Sequence, residues 1–148
     1  MLKSREQFHS AHGRRQVLVV DDEIVNRELL GHILGAEYEV VYAGDGLEAL
    51  EKMQAFRETL SLVFLDIIMP RMTGMELLRR LREDPALQQI PVIVTTSDQN
   101  SEVESLHLGA IDFIPKPYPQ ADVILARALR TIELSEDREI IQSTERDQ

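Results

Sequence analysis

The sequence predicts a doubly wound α/β fold, a five-stranded parallel sheet with helices on both faces. Short runs rich in β-branched residues recur along the chain, and segments with apolar residues at helical spacing separate them. Parallel strands need crossover connections, which right-handed helical segments supply. In addition, three of the apolar runs end on Asp or Thr, which places polar groups where ligands bind in such sheets.

The first half of the chain predicts strand, helix, strand and helix. Residues 17–20 form an apolar run that ends on Asp21 and Asp22. A helix follows, because apolar residues recur at helical spacing and Gly35 supplies a stop. Those apolar residues are Val25, Leu29, Ile33 and Leu34. Residues 38–43 predict the second strand, and a Gly-Asp-Gly turn at residues 44–46 leads into the second helix. One side of that helix, which we expect to end near residue 57, carries Leu47, Leu50, Met53 and Gln54.

The second half repeats the alternation. The third strand, residues 62–65, ends on Asp66, and a loop then leads to a helix that stops near Asp84. That helix carries Met75, Leu78 and Leu81. The fourth strand follows Pro91 and ends on Thr95 and Thr96, before a short helix at residues 102–108 that Gly109 closes. The fifth strand, residues 112–115, delivers Lys116, and a last helix carries Leu125, Ala128, Leu129 and Ile132.

We expect the flavodoxin-like strand order 2-1-3-4-5, which places strand 1 beside strand 3. Ligands in these sheets bind outside the carboxyl ends of the strands, at the point where the strand order reverses. Asp21, Asp22 and Asp66 should therefore converge there with a threonine hydroxyl and Lys116. Crowded carboxylates repel one another unless a cation lies among them, and hard oxygen ligands favour Mg²⁺. Taken alone, the Asp21-Asp22 pair could equally cap the helix that follows it.

The composition of the chain excludes several kinds of binding site and partner. The chain has 148 residues, enough for one domain with a real core. It contains no cysteine, which excludes disulfides and thiolate metal sites and fits a cytoplasmic location. No apolar stretch approaches the roughly 20 residues that span a bilayer, so we expect no membrane partner. The net charge of −10 argues against binding to nucleic acid, because neutralising phosphates needs a basic face.

The two ends of the chain differ from its middle. Residues 1–15 are polar and basic and show no periodicity, so they predict a flexible leader, in which His9 and His12 are solvated and bind no metal. Residues 133–148 are acidic, contain no Gly or Pro, and favour helix. They predict a helical extension or linker of the last helix, with a frayed tail as the alternative. They lack the a/d heptads of a coiled coil.

The motifs along residues 16–132 together closely resemble the receiver domain of bacterial two-component response regulators. The motif residues are Asp21-Asp22-Glu23, Gly44-Asp45-Gly46, Asp66 with Met69-Pro70 and Gly74, Thr96-Ser97, Asp112-Phe113 and Lys116-Pro117. The spacing from Thr96 to Lys116 is shorter than is usual in the family, with the shortening between Ser97 and Gly109. This leaves the phosphate chemistry alone but puts in doubt the family's usual partner surface of helix four, strand five and helix five.

The resemblance implies a role for each residue of the acidic cluster. Asp66 is the expected phosphoacceptor, and Lys116 pairs with it at rest and with the phosphoryl oxygen afterwards. Asp22 is expected to bind Mg²⁺ directly and Asp21 directly or through water. Asp66 and the backbone carbonyl of Ile68 complete the protein ligands.

The resemblance also implies a switch. Thr96 is expected to move and bond the phosphoryl group, and Phe113 then rotates inward into the vacated space. Thr95 is the competing hydroxyl, but strand alternation turns it to the opposite face. Phe113 as an ordinary core aromatic is the alternative to its switch role. The peptide bond before Pro117 is expected to be cis.

The function implied is a phosphorylation-driven signalling switch, and the domain itself is not an enzyme. The expected partners are a histidine kinase or phosphotransfer protein and a downstream effector domain or protein. The chain is either a stand-alone receiver or the front module of a longer regulator, since residues 143–148 resemble the lead-in to a diguanylate cyclase domain. A homodimer through the last helix is compatible with either version. The alternatives are a Mg²⁺-dependent phosphohydrolase with an aspartyl nucleophile and a phosphate-independent interaction domain.

Overall fold

The computed structural model describes residues 15–146, apart from the side chains of Ser143 and Arg146. In this part of the chain five strands alternate with five α-helices. The strands are β1 Gln16–Val20, β2 Glu39–Ala43, β3 Leu60–Asp66, β4 Val92–Thr96 and β5 Asp112–Pro115. The helices are α1 Ile24–Leu34, α2 Gly46–Ala55, α3 Gly74–Glu83, α4 Glu102–His107 and α5 Ala121–Arg146. A 3₁₀ turn, Gln99–Ser101, leads into α4.

The strands form one parallel sheet in the order β2-β1-β3-β4-β5, which confirms the predicted fold class and order. Val20, the last residue of β1, lies opposite Leu65 of β3, so the residues that follow these two strands leave the sheet side by side. Asp66 lies opposite Thr95 of β4, and Thr96 lies opposite Pro115 of β5. The register therefore brings Asp21, Asp66, the threonines and Lys116 to one edge of the sheet.

Two apolar layers enclose the sheet, because alternate residues of each strand point to opposite faces. Leu18 and Val20 of β1 pack into the layer under α2 and α3, whereas Val17 and Val19 pack into the layer under α1 and α5. Every residue of β1 and of β4 is buried. Continuous apolar runs of this kind are what a parallel sheet covered on both faces requires.

The helices α2 and α3 begin at side chains that cap them. Asp45 accepts a hydrogen bond from the backbone N–H of Glu48, and Thr73 accepts one from that of Glu76. Each bond satisfies an amide that the first helical turn leaves without a partner. The α3 helix then buries Leu77, Leu78 and Leu81 completely, at about 1.5–3 kcal/mol for each side chain.

The apolar residues that recur at helical spacing are only partly buried in three of the helices. In α1 the buried row is Leu30 and Leu34, while Val25 and Leu29 are exposed by 76% and 46%. The exposed residues lie on the adjacent row of the helix, which the i, i+4 spacing alone does not distinguish from the buried one. Leu47 of α2 and Leu129 of α5 are likewise exposed.

The last helix runs without a break from Ala121 to Arg146. Glu136 and Ile140, in its second half, are each 5% exposed, and the Glu136 carboxylate lies 3.2 Å from the Arg15 guanidinium. The division of the chain at residue 132 stays a prediction. The predicted leader, residues 1–15, lies outside the described residues except for Arg15, as do His9 and His12. Among the helices that the structure describes, none is both long and apolar enough to cross a bilayer.

Candidate functional site

Three carboxylates lie together at the carboxyl edge of the sheet. Asp21 and Asp22 directly follow β1, and Asp66 is the last residue of β3. One carboxylate oxygen from each lies within 4.8 Å of the others. Asp21 and Asp66 are buried, whereas Asp22 is exposed. The cluster is therefore open to solvent on the side of Asp22.

Lys116 reaches this cluster from the end of β5. Its ammonium nitrogen Nζ lies 2.8 Å from Asp21 Oδ2 and 3.1 Å from Asp66 Oδ2. The lysine side chain is only 12% exposed, so little solvent weakens these two ion pairs. One ammonium against three carboxylates leaves a formal charge of −2, which one divalent cation would balance. The oxygen donors of Asp21, Asp22 and Asp66 are of the type that Mg²⁺ prefers.

Backbone amides fix the remaining oxygens of the two buried carboxylates. Asp21 Oδ1 accepts a hydrogen bond from the N–H of Glu23 at 2.9 Å, and Asp66 Oδ1 accepts one from the N–H of Ile68 at 3.1 Å. Each buried carboxylate thus uses one oxygen for a backbone amide and the other for Lys116. This arrangement sets the direction of both side chains before any ligand arrives.

Burial and the ion pairs shift the pKa of Asp66 in opposite directions, and the same holds for the pKa of Lys116. Burial raises the pKa of Asp66 from 3.8 to about 6, against the opposing effect of the Lys116 ammonium and the Ile68 amide. Burial lowers the pKa of Lys116, but its hydrogen bonds to Asp21 and Asp66 outweigh this and hold that pKa above its ordinary value. Lys116 is therefore charged at neutral pH. Asp66 is mostly ionised there, at a cost to the folded state.

Gly74 fixes the backbone that follows Asp66. A Cβ atom at position 74 would lie 2.5 Å from the carbonyl oxygen of Asp66 and 2.6 Å from the Cα of Ile67. The Gly74 N–H donates to the carbonyl of Ile67 at 3.0 Å. The loop between β3 and α3 therefore closes tightly because residue 74 has no side chain. The Ile68 side chain, at the start of this loop, is 54% exposed.

The two candidate switch residues lie on one side of the sheet. Thr96 is fully buried, and its Oγ1 accepts a hydrogen bond from the N–H of Asp98 at 3.1 Å. Phe113 is 7% exposed and packs in the core layer under α2 and α3, so its ring already lies inward. Their predicted coupled movement stays a prediction. The Lys116–Pro117 peptide bond is cis.

Two further hydroxyls lie near Lys116, that of Thr95 and that of Tyr118, and the sequence analysis did not single out Tyr118. Thr95 Oγ1 and Tyr118 OH are both buried, and neither forms a hydrogen bond of full geometry within residues 15–146, although Thr95 lies close enough to lower the pKa of Tyr118. Burial raises the pKa of Tyr118 to about 12. Lys116 Nζ lies 6.0 Å from the centre of the Tyr118 ring, at the outer limit of a cation–π contact. The only signal in the sequence is a tyrosine two residues after the lysine.

Comparisons with a family model, with known proteins and with solved structures all indicate the same family. The family model described as the response regulator receiver domain matches residues 17–128. The chain is 30% identical over 145 residues to hybrid signal transduction histidine kinase D of Dictyostelium discoideum, covering 94% of this chain and 9% of that protein. It is 38% identical over 120 residues to response regulator PleD of Caulobacter vibrioides, covering 79% of this chain and 26% of that protein. The chain thus spans only a small part of either relative.

Solved structures agree with the sequence comparisons. The chemotaxis protein CheY4 of Vibrio cholerae superimposes with a TM-score of 0.73 at 32% identity. That match covers 80% of this chain and 99% of CheY4. The residues that the family model matches include every strand of the sheet except the first residue of β1, together with the acidic cluster and Lys116. The chain therefore belongs to the response regulator receiver domain family, the signalling switches of two-component systems.

Proposed function

We propose that this chain is a phosphoacceptor switch that takes a phosphoryl group on Asp66 in a Mg²⁺-dependent reaction. The donor is a histidine kinase or a phosphotransfer protein, and the setting is cytoplasmic. The observation that carries the proposal is the placement of Lys116, whose ammonium bonds both Asp21 and Asp66 beside the exposed Asp22. A largely shielded lysine between two carboxylates and an open acidic face are the parts that phosphoryl transfer to a carboxylate needs.

The chemistry follows from these contacts. A carboxylate oxygen of Asp66 attacks the phosphorus, the bond from phosphorus to the donor's histidine nitrogen breaks, and an acyl phosphate forms on Asp66. The transition state spreads negative charge over the equatorial oxygens, so cations around them supply most of the catalysis. Lys116 is already within 3.1 Å of Asp66 and can follow the charge onto the new phosphoryl oxygens. A bound Mg²⁺, held by Asp21, Asp22, Asp66 and the carbonyl of Ile68, would neutralise the same developing charge.

The proposed output is a change of surface around β4 and β5. The Thr96 hydroxyl already accepts a bond from Asp98, and its own hydrogen remains free to be donated to a phosphoryl oxygen. Movement of Thr96 would alter the packing beside Phe113, which lies on the same face of the sheet. Phosphorylation thus biases a two-state surface that a downstream effector domain or protein reads.

The competing enzyme class has less support. An aspartyl phosphohydrolase of the haloacid-dehalogenase type needs a second aspartate two residues after the nucleophile as general acid. That position is Ile68 in this chain. The charged set of Asp21, Asp22, Asp66 and Lys116 likewise disfavours a phosphate-independent interaction domain. A separate proposal is that an output domain follows this chain in a longer regulator. The native reading frame beyond residue 148 tests it.

Labelling with a small phosphodonor tests the proposal. We expect the protein with Mg²⁺ and acetyl phosphate to gain the mass of one phosphoryl group, and to gain none when the divalent cation is chelated. Asp66→Asn should abolish the gain, whereas Asp122→Asn, at an exposed position in the first turn of α5, should leave it unchanged. Stoichiometric, lasting labelling of the Asp66→Asn variant would show that the acceptor is another residue. Continuous release of phosphate without a labelled protein would favour the phosphohydrolase.

A further inference from the structure

A small cavity lies at the end of the sheet opposite the acidic cluster. It is bounded by the residues that lead into β4 and β5 and by the second half of α5, with a volume of about 80 Å³. Its polar lining consists of Arg82, Gln88, Gln89, Thr131, Ser135 and Arg138. We call it the Arg82–Arg138 cavity. Because all five strands are parallel, its position at their amino ends separates it from the proposed phosphorylation site.

The charge of this cavity is opposite to that of the protein as a whole. The chain carries a net charge of −10, yet the described lining contains two arginines and no Asp or Glu. Within residues 15–146, neither Arg82 nor Arg138 forms an ion pair. Many other basic side chains do pair with a carboxylate, namely Arg15, Lys52, Arg71, Arg79, Lys116 and Arg127. Two arginines that form no ion pair within residues 15–146 therefore line one concave site.

Arg82 is held in place but is not satisfied. Its Nη1 donates to the carbonyl of Gln88 at 3.3 Å, and a Cβ atom on Gly109 would lie 2.7 Å from its Nε. Gly109 has φ of +101°, a conformation that favours glycine, and so leaves room for the guanidinium. The Nε atom is buried and has no hydrogen-bond partner among the described residues. Burial also lowers the pKa of Arg82, as expected for a cation without a nearby anion.

Two arginines that form no ion pair within residues 15–146 line one concave site, and an oxyanion is the ligand that supplies the missing counter-charge. We propose that the Arg82–Arg138 cavity binds one small oxyanion of the phosphate class. Arg82 and Arg138 supply the charge, and the hydroxyls of Ser135 and Thr131 are donors on the same wall. Arginine suits this role because its planar fork can hold two oxygens of one anion.

The volume decides the size of the ligand. About 80 Å³ is room for about three water molecules at roughly 30 Å³ each, far below the roughly 300 Å³ of a site for a drug-sized ligand. An inorganic phosphate ion is of the right order, whereas a nucleotide is too large to be enclosed. The cavity therefore has room for one phosphate group, which we assign to free phosphate, since the sugar and base of a nucleotide would lie outside it.

Titration of the full chain with inorganic phosphate, without divalent cations, tests this inference. Amide NMR signals of Gly109 and Ser135 report on the cavity, and those of Asp22 and Asp66 report on the acidic cluster. We expect phosphate to shift the first pair and to leave the second unchanged. Arg82→Gln and Arg138→Gln should each weaken phosphate binding by about tenfold or more, the worth of a charge-assisted hydrogen bond.

The control is Arg80→Gln, an exposed arginine of the same helix that does not line the cavity. It removes the same charge, so its phosphate affinity should match that of the parent. Arg138 is exposed in the described structure, and its variant keeps the proposal testable should Arg82→Gln fail to fold. An absence of shifts at Gly109 and Ser135, or equal weakening by Arg80→Gln, would overturn the proposal. Tighter binding of adenosine monophosphate than of inorganic phosphate would overturn the assignment to a free ion.

Discussion

Replacing Asp66 with asparagine should make the protein more stable above about pH 7 when no divalent cation is present. Burial raises the pKa of this carboxyl from 3.8 to about 6, so its charged form is disfavoured in the fold. A raised aspartate pKa means that the folded state binds the proton more tightly than the unfolded state. Stability is therefore lost as pH rises from about 4 through about 6, and the full cost is present above that window.

The size of the effect follows from two opposing contributions. A shift of about two pKa units corresponds to about 3 kcal/mol, since each unit is worth about 1.4 kcal/mol. Asparagine has one acceptor oxygen, so it cannot serve both the Ile68 amide and Lys116, which costs about 1 kcal/mol for the lost hydrogen bond. In the variant, Lys116 keeps its ion pair with Asp21, whose Oδ2 lies 2.8 Å from Nζ in the parent. We expect the free energy of unfolding of Asp66→Asn to exceed that of the parent by about 2 kcal/mol above pH 7.

Urea denaturation of both proteins in chelator, at a series of pH values, measures this difference. The gain in stability of Asp66→Asn should decrease as the pH is lowered. It should vanish or reverse below about pH 4, where Asp66 of the parent is neutral in both the folded and the unfolded state. Saturating Mg²⁺ should also shrink the gain, because a ligand at about 100 times its Kd adds about 2.7 kcal/mol to a protein that binds it. Asp122→Asn, the exposed control, should change the stability by less than about 0.5 kcal/mol at every pH. An Asp66→Asn variant that is less stable than the parent above pH 7, or a difference independent of pH, would refute the reasoning.

Three further changes follow from the same geometry. Asp22→Ala should weaken Mg²⁺ binding severely, since one of three clustered carboxylates is lost. If titration shows an unchanged Mg²⁺ affinity, Asp22 is not a ligand. Lys116→Met should lower the free energy of unfolding by about 3 kcal/mol or more, because Asp21 and Asp66 are left as a buried like-charged pair. Urea denaturation measures the loss, and added Mg²⁺ should restore part of it. Gly74→Ala should cost about 1–3 kcal/mol, because the added Cβ would lie 2.5 Å from the carbonyl oxygen of Asp66, and it should slow labelling by acetyl phosphate. A Gly74→Ala protein with parental stability and labelling rate would show that the loop yields freely.

Much of the fold could be predicted because its signals are local. Apolar runs such as residues 17–20 and 62–65 are short, rich in β-branched or aromatic residues, and bounded by polar ones, which indicates buried strands. The alternation of these runs with helical segments leaves few topologies for a parallel sheet. The clustering of Asp21, Asp22 and Asp66 then follows, because each lies at or just after the end of a strand and β1 is the neighbour of β3.

What the sequence did not predict depends on packing between distant segments. Two adjacent rows of α1 are apolar, and only contact with the sheet decides that Leu30 and Leu34 are buried while Val25 and Leu29 are exposed. Arg82 of α3 and Arg138 of α5 line one cavity, which no motif in the sequence indicates. The interaction of the Thr95 and Tyr118 side chains likewise depends on packing between β4 and the residues after β5.

A crystal structure of the protein with Mg²⁺ and beryllium fluoride, a stable mimic of a phosphoryl group on a carboxylate, tests the central claim most directly. We predict one metal ion that shares oxygens of Asp22, Asp66 and the Ile68 carbonyl. We also predict the beryllium fluoride on an Asp66 oxygen, with Lys116 bonded to one of its fluorines. An ion bound elsewhere, or an Asp66 carboxylate that remains free while another side chain carries the mimic, would contradict the account.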